Sequence, residues 1–161
     1  MIALGVVITA ATAALLVFGF FRVPRRRTFP AYGWLGIVAL ASAEWLMFKR
    51  IEPVATYFTP IAWSAYILIA DAAVLALTGR SRLNDAPLTL ARMALLSIPL
   101  WLIFEGYNLR LHNWTYVGVP LGWTSIVFGY GWSFATITPA IFETSELVQV
   151  LLRPPSKPPA S

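Results

Sequence analysis

Read along its length, the chain alternates long apolar runs with short polar and basic stretches. Five runs reach the roughly 20 residues a helix needs to cross about 30 Å of hydrocarbon. They cover residues 2–21, 31–48, 60–78, 90–109 and 123–147. The first carries no charge, the second only Glu44 and the third only Asp71. The fourth has Arg92 near its start and Glu105 near its end, and the fifth carries Glu143 and Glu146 in its last turns. In lipid every backbone N–H and C=O must be satisfied by the protein itself, and a helix does this within one segment. The pattern therefore predicts an all-α fold, a polytopic transmembrane helical bundle of about five spans.

Topology follows from the charges between the runs. A cleaved signal peptide carries its positive charge before the apolar stretch. Here Arg22, Arg25, Arg26 and Arg27 come after it, so the first run is expected to be a true span with its N-terminus outside. With that loop inside, the cytoplasmic side collects nine basic residues (Arg22, Arg25, Arg26, Arg27, Arg80, Arg82, Arg92, Arg153 and Lys157) against three outside (Lys49, Arg50 and Arg110). This bias predicts an N-out, C-in arrangement. Asp71 places an acid near the middle of the third run; a re-entrant segment there would invert everything downstream. Tyr32, Trp34, Tyr57, Trp63, Trp114, Tyr116 and Trp123 stand near run ends, as an interfacial aromatic belt requires. Pro99 and Pro139 are expected to kink the fourth and fifth helices. Residues 153–161, RPPSKPPAS, cannot continue a helix and are expected to form a proline-rich disordered cytoplasmic tail.

Composition strengthens the membrane reading and removes other classes. The chain is 58% hydrophobic and 12% charged, where a soluble domain carries about 25% charged residues. The excess apolar surface belongs against the lipid bilayer. A net charge of +5 would suggest nucleic acid in a soluble protein, but these basic residues sit in the short loops, so no nucleic-acid partner is expected. The absence of cysteine excludes disulfides, thiolate catalysis, Fe–S clusters and Cys-ligated zinc. A single histidine, His112, excludes HExxH and other multi-histidine sites within one chain. No metal and no cofactor is expected.

Ionisable groups inside spans are costly and are functional candidates by default. Glu44 and Glu105 each lie four residues before the end of their runs, hence roughly 6 Å below the same, outer boundary. Trp101, Glu105 and Asn108 share a helix face, and the loop beyond adds Arg110, His112, Asn113, Trp114 and Tyr116. If the two glutamates meet beside Arg110 and His112, their pKa values separate and suit general acid–base work. Glu44 and Glu105 are thus the catalytic candidates, and Glu105, Asn108, Arg110, His112, Trp114, Tyr116 and Asp71 the ligand-binding ones. The simpler alternative is that Arg110 or Lys49 neutralises the glutamates. Ser64, Asp71 and Thr78 recur at seven-residue spacing, which suits a proton or cation path or a buried, hydrogen-bonded acid. Glu143 and Glu146 are expected to pair with Arg92 or Arg82. Ser125, Gly129 and Ser133 form a small-residue stripe, expected to let helices approach closely. The GYG at 129–131 lies in one apolar helix and does not make an ion filter.

Several spacings also carry a resemblance. Trp63, Tyr66 and Asp71 form W-x2-Y-x4-D; Gly79, Arg80 and Ser81 form G-R-S; Glu105 and Asn108 form E-x2-N; Trp114, Tyr116 and Pro120 form W-x-Y-x3-P. This set, spread from Trp63 to Glu146 over about half the chain, resembles a group of uncharacterised bacterial multi-pass membrane proteins that often carry such a module twice. The resemblance implies a bacterial cytoplasmic membrane, a chain equivalent to one half, and a homodimer or partner membrane subunit. A fainter similarity is to small lycopene cyclase domains, which combine intramembrane acids with a W-x-Y element. Their proline–glutamate pair is missing, since Leu121, Gly122 and Trp123 follow Pro120. The leading expectation is a lipid-like or amphipathic ligand bound near the outer leaflet by Glu44, Glu105 and Arg110. An acid-catalysed isoprenoid cyclase, a proton- or cation-coupled carrier using Asp71, and a structural membrane subunit are the alternatives.

Overall fold

A computed structural model describes residues 2–117 and 122–153. Among these the chain is helical, without strands: α1 (Ile2–Arg22), α2 (Ala31–Phe48), α3 (Phe58–Thr78), a single turn α4 (Arg82–Asp85), α5 (Pro87–Leu111) and α6 (Trp123–Leu152). All but α4 are long and apolar enough to cross a membrane, so the chain is a five-span helical membrane bundle. The five predicted runs fall within these helices, apart from small shifts at the ends; the turn α4 was not expected. Pro87 opens α5 three residues earlier than the apolar run suggests, its missing N–H costing nothing in the first turn. The tail from residue 154 and Pro120 of the W-x-Y-x3-P element lie outside the described residues.

The long helices pack in the order α2, α3, α6, α5, and α1 meets chiefly α6. Because they alternate in direction, one end of the bundle gathers the arginine-rich segments around residues 22–30, 79–86 and 153. The other, tryptophan-rich end gathers the segments around 49–57 and 112–117. At 1.5 Å per residue the 30 residues of α6 run about 45 Å, longer than the hydrocarbon, so its ends reach the interfaces.

The third run, made doubtful by its acid, is one continuous helix and the most buried in the protein; every residue from Ala70 to Leu77 is buried. Helix α2 lies against it through glycines. A Cβ on Gly33 would stand 2.4 Å from the Ala72 Cβ, and one on Gly36 would stand 2.8 Å from the Ala65 carbonyl oxygen. Without a hydrophobic drive between helices in lipid, such close backbone approach is what supplies dispersion contact. The end of α3 is closed by Gly79, whose left-handed φ of 83° turns its N–H back to the Leu75 carbonyl. The N–H groups of Arg26 and Arg27 donate to the Ala76 carbonyl, bringing the arginine loop to the negative end of the helix dipole.

On the other side, α5 and α6 are stitched together at Ser97. Its buried hydroxyl donates to the Phe134 carbonyl (2.5 Å) and accepts from the Thr138 N–H (3.0 Å). Those two groups pair with each other in a regular helix, and Pro139, next in line, has no N–H to offer. A serine from a neighbouring helix thus satisfies backbone groups beside a proline. Helix α1 touches the bundle only in its last turns, where Gly19 receives Leu151 and Phe20 meets Phe29 edge-on at 5.9 Å. The rest of it is exposed, as a lipid-facing span is.

Gly36→Val drives its Cβ into backbone that cannot yield, and overpacking of this kind costs about 1–3 kcal/mol. Ser97→Ala removes two buried hydrogen bonds between α5 and α6, each worth about 0.5–1.5 kcal/mol. Both variants are expected to lower the thermal midpoint of the detergent-purified protein; a midpoint equal to wild type for either rejects the corresponding joint.

Candidate functional site

The predicted site residues separate into two clusters at opposite ends of the bundle. At the tryptophan-rich end, α5 stops at His112, which adopts a left-handed φ of 54° and turns the chain back. Asn108 then clamps the returning loop. Its amide Nδ2 donates to the Trp114 carbonyl at 3.0 Å, and its Oδ1 accepts from the Trp114 N–H at 3.1 Å. This two-bond clamp aims Tyr116 at α5, where its hydroxyl donates to Glu105 Oε1 at 2.5 Å. Partial burial and then the Glu105 carboxylate raise the Tyr116 phenol above its ordinary pKa, so the proton stays on the tyrosine. Glu105, Asn108, Trp114 and Tyr116 therefore form one unit. Arg110 and His112 are exposed and make no ion pair with it.

Behind Tyr116 lies a cavity of about 420 Å³ between α3, α5 and α6. Tyr57, Trp63, Trp101, Tyr116, Tyr130 and Phe134 are its aromatic walls, and Thr56, Thr59, Ser125 and Ser133 its hydroxyls. The rings brace one another: Tyr116 meets Tyr130 at 5.1 Å, Tyr130 meets Phe134 at 5.5 Å, and Phe134 meets Trp101 at 6.1 Å. Trp63 and Tyr116 remain 42% and 45% exposed, so the cavity is reachable from outside the bundle. Its volume falls within the roughly 300–1,000 Å³ of small-molecule sites. The small-residue stripe belongs here. Ser125, Gly129 and Ser133 were expected to seat a neighbouring helix; instead they line the cavity, with the Tyr57 ring 3.3 Å from where a Gly129 Cβ would stand.

Glu44 is not part of this unit. It is exposed on α2, which packs against α3, whereas α5 packs against α6 on the far flank. No bond joins Glu44 to Glu105, and neither Lys49 nor Arg110 pairs with either acid; Lys49 lies 5.0 Å over the Trp45 ring instead. The arrangement does not make a two-carboxylate centre from these residues.

Asp71 anchors the second cluster, toward the arginine-rich end. Fully buried, it accepts from the Tyr32 hydroxyl (2.6 Å), the Ser81 hydroxyl (2.8 Å) and the Leu83 N–H (2.8 Å). Ser81 also caps α4 by accepting from the Asn84 N–H, while its own N–H donates to Asp85. Asn84, then the Ser81 backbone, hold the Asp85 carboxyl below its ordinary pKa. From α4, Arg82 reaches α6 and pairs with Glu143 at 3.2 Å and Glu146 at 2.5 Å. Arg82, not Arg92, is thus the partner of these acids. Glu143 is fully buried, and its Oε2 has no hydrogen-bond partner. The three groups of the Ser64–Asp71–Thr78 stripe have separate partners: Ser64 accepts from the Trp132 indole at 3.0 Å, and Thr78 bonds to backbone carbonyls. Among the described residues no group of acids and histidines is placed to hold a metal ion.

Tyr130 and Phe134 were missed as site residues, and Tyr32 was read only as a membrane anchor. Small residues spaced by four on an otherwise bulky helix were the one available signal for the cavity; nothing local marks Tyr32 as the partner of Asp71. Compared with family models, curated proteins and solved structures, the chain matches none.

Arg82→Ala strands two acids, one of them fully buried, and removing one partner of a buried pair costs about 3–5 kcal/mol. The partial exposure of Arg82 places the expected loss at the lower end. Adding Glu143→Gln to that variant is expected to recover part of the lost thermal stability. A double variant no more stable than Arg82→Ala alone shows that the pair is not what holds α4 to α6.

Proposed function

We propose that the protein binds a lipid-like or amphipathic molecule in the aromatic cavity, from within a bacterial cytoplasmic membrane whose outer leaflet meets the tryptophan-rich end. The observation that carries this reading is the cavity itself. It is largely apolar, its polar groups are hydroxyls, and partly exposed Trp63 and Tyr116 line it. This is the usual character of a small-molecule site, in which apolar walls supply affinity and a few polar groups fix orientation. The orientation is supported by the excess of arginine at the opposite end, which the positive-inside rule assigns to the cytoplasm. Glu105 and Tyr116 form the polar edge of the site, and the loop clamped by Asn108 holds that edge in place.

Ser133→Leu places an isobutyl group in the cavity without touching the Glu105–Tyr116 pair. A fatty alcohol brominated on its chain is the probe, because bromine in contact with Trp63 or Trp101 quenches indole fluorescence. Wild type is expected to show saturable quenching and Ser133→Leu to weaken it at least about tenfold, with an unchanged thermal midpoint; equal quenching in the two proteins overturns the reading.

A further inference from the structure

The lining of the cavity is uneven in charge. Among the described residues that line it there is no lysine, arginine or histidine, so an anionic headgroup finds hydroxyls but no cation. The acid at its edge is Glu105. It lies one turn beyond Trp101 on the same face of α5, takes the Tyr116 proton bond, and is near enough to act electrostatically on Tyr130. Arg110 follows Glu105 by five residues, about 140° around the helix, and is exposed, so it leaves this negative charge uncompensated.

Much of the remaining wall is aromatic. Tyr57, Trp63, Trp101 and Tyr130 surround the space from three helices and the segment before α3. Aromatic rings attract cations through their quadrupole, tryptophan most strongly, and the attraction grows as water is removed. A quaternary ammonium suits such walls, because it has no N–H to satisfy and keeps its charge at every pH. From this arrangement we infer that the ligand is a cationic amphiphile, with its quaternary ammonium headgroup held between the aromatic walls and Glu105. The inference rests on the cavity being a ligand site and adds the charge and chemistry of the headgroup.

Three probes with the same brominated dodecyl chain, ending in trimethylammonium, hydroxyl or sulfate, separate the two levels of the claim. They are titrated into the full chain in maltoside micelles, which carry neither choline nor net charge, with tryptophan quenching as the readout. The ammonium probe is expected to half-saturate at about a tenfold lower concentration than the alcohol, with the sulfate weakest. Glu105→Gln, which keeps an acceptor for Tyr116, and Trp63→Leu, which keeps apolar volume and leaves Trp101 to report, are each expected to reduce the ammonium preference about three- to tenfold. In both variants any loss of alcohol binding is expected to be smaller than the loss of ammonium binding. The headgroup inference is overturned if the alcohol or the sulfate matches the ammonium, or if both variants keep the full preference. Absence of saturable quenching by all three probes refutes the ligand cavity as well.

Discussion

Asp71 is a carboxylate placed where water does not reach, and the arrangement around α3 follows from how its two oxygens are satisfied. Tyr32 brings α2 to it, and Ser81 and Leu83 fold the chain after α3 back toward it. The fold-back creates the single turn α4, and α4 in turn presents Arg82 to Glu143 and Glu146 on α6. One buried acid therefore determines where a second pair of acids finds its cation. In hydrocarbon the alternative to each of these bonds is an unsatisfied polar group costing several kcal/mol. The polar contacts thus select one packing from many that bury similar apolar surface.

The two joints of the bundle are made differently, and the difference explains the cavity. Helices α2 and α3 touch through Gly33 and Gly36, with no space left for a methyl group. Helices α5 and α6 are joined nearer the middle, where Ser97 enters the backbone of α6 beside Pro139. Toward the tryptophan-rich end α6 presents Ser125, Gly129 and Ser133 with no partner helix seated on them, and aromatic rings from α3, α5 and the loops close around the gap. Small residues permit close approach but do not compel it; here the surrounding rings hold the space open.

Polarity is distributed along the bundle in a way that suits two tasks. The arginine-rich end uses its ionic groups to hold elements together, with the acids paired or hydrogen-bonded. At the tryptophan-rich end Glu105 has a tyrosine for company and no cation. Glu105 accepts from one hydroxyl, whereas Asp71 accepts from three donors.

By itself the sequence determined the membrane class, the five spans and their limits, because hydrocarbon thickness and backbone satisfaction act on each segment separately. It also marked Glu105, Asn108, Trp114 and Tyr116, which lie close enough in the chain for one turn to bring them together. It did not determine neighbours. That α2 lies against α3 and away from α5, so that Glu44 never meets Glu105, depends on contacts between residues far apart in sequence. The pairing of Asp71 with Tyr32, the choice of Arg82 over Arg92, and the change of the Ser125–Ser133 stripe from packing surface to cavity wall were likewise decided only by tertiary structure. Depth in the membrane is a property of one helix, while adjacency is a property of the whole bundle, set by which close backbone approaches and buried polar bonds can be made at once.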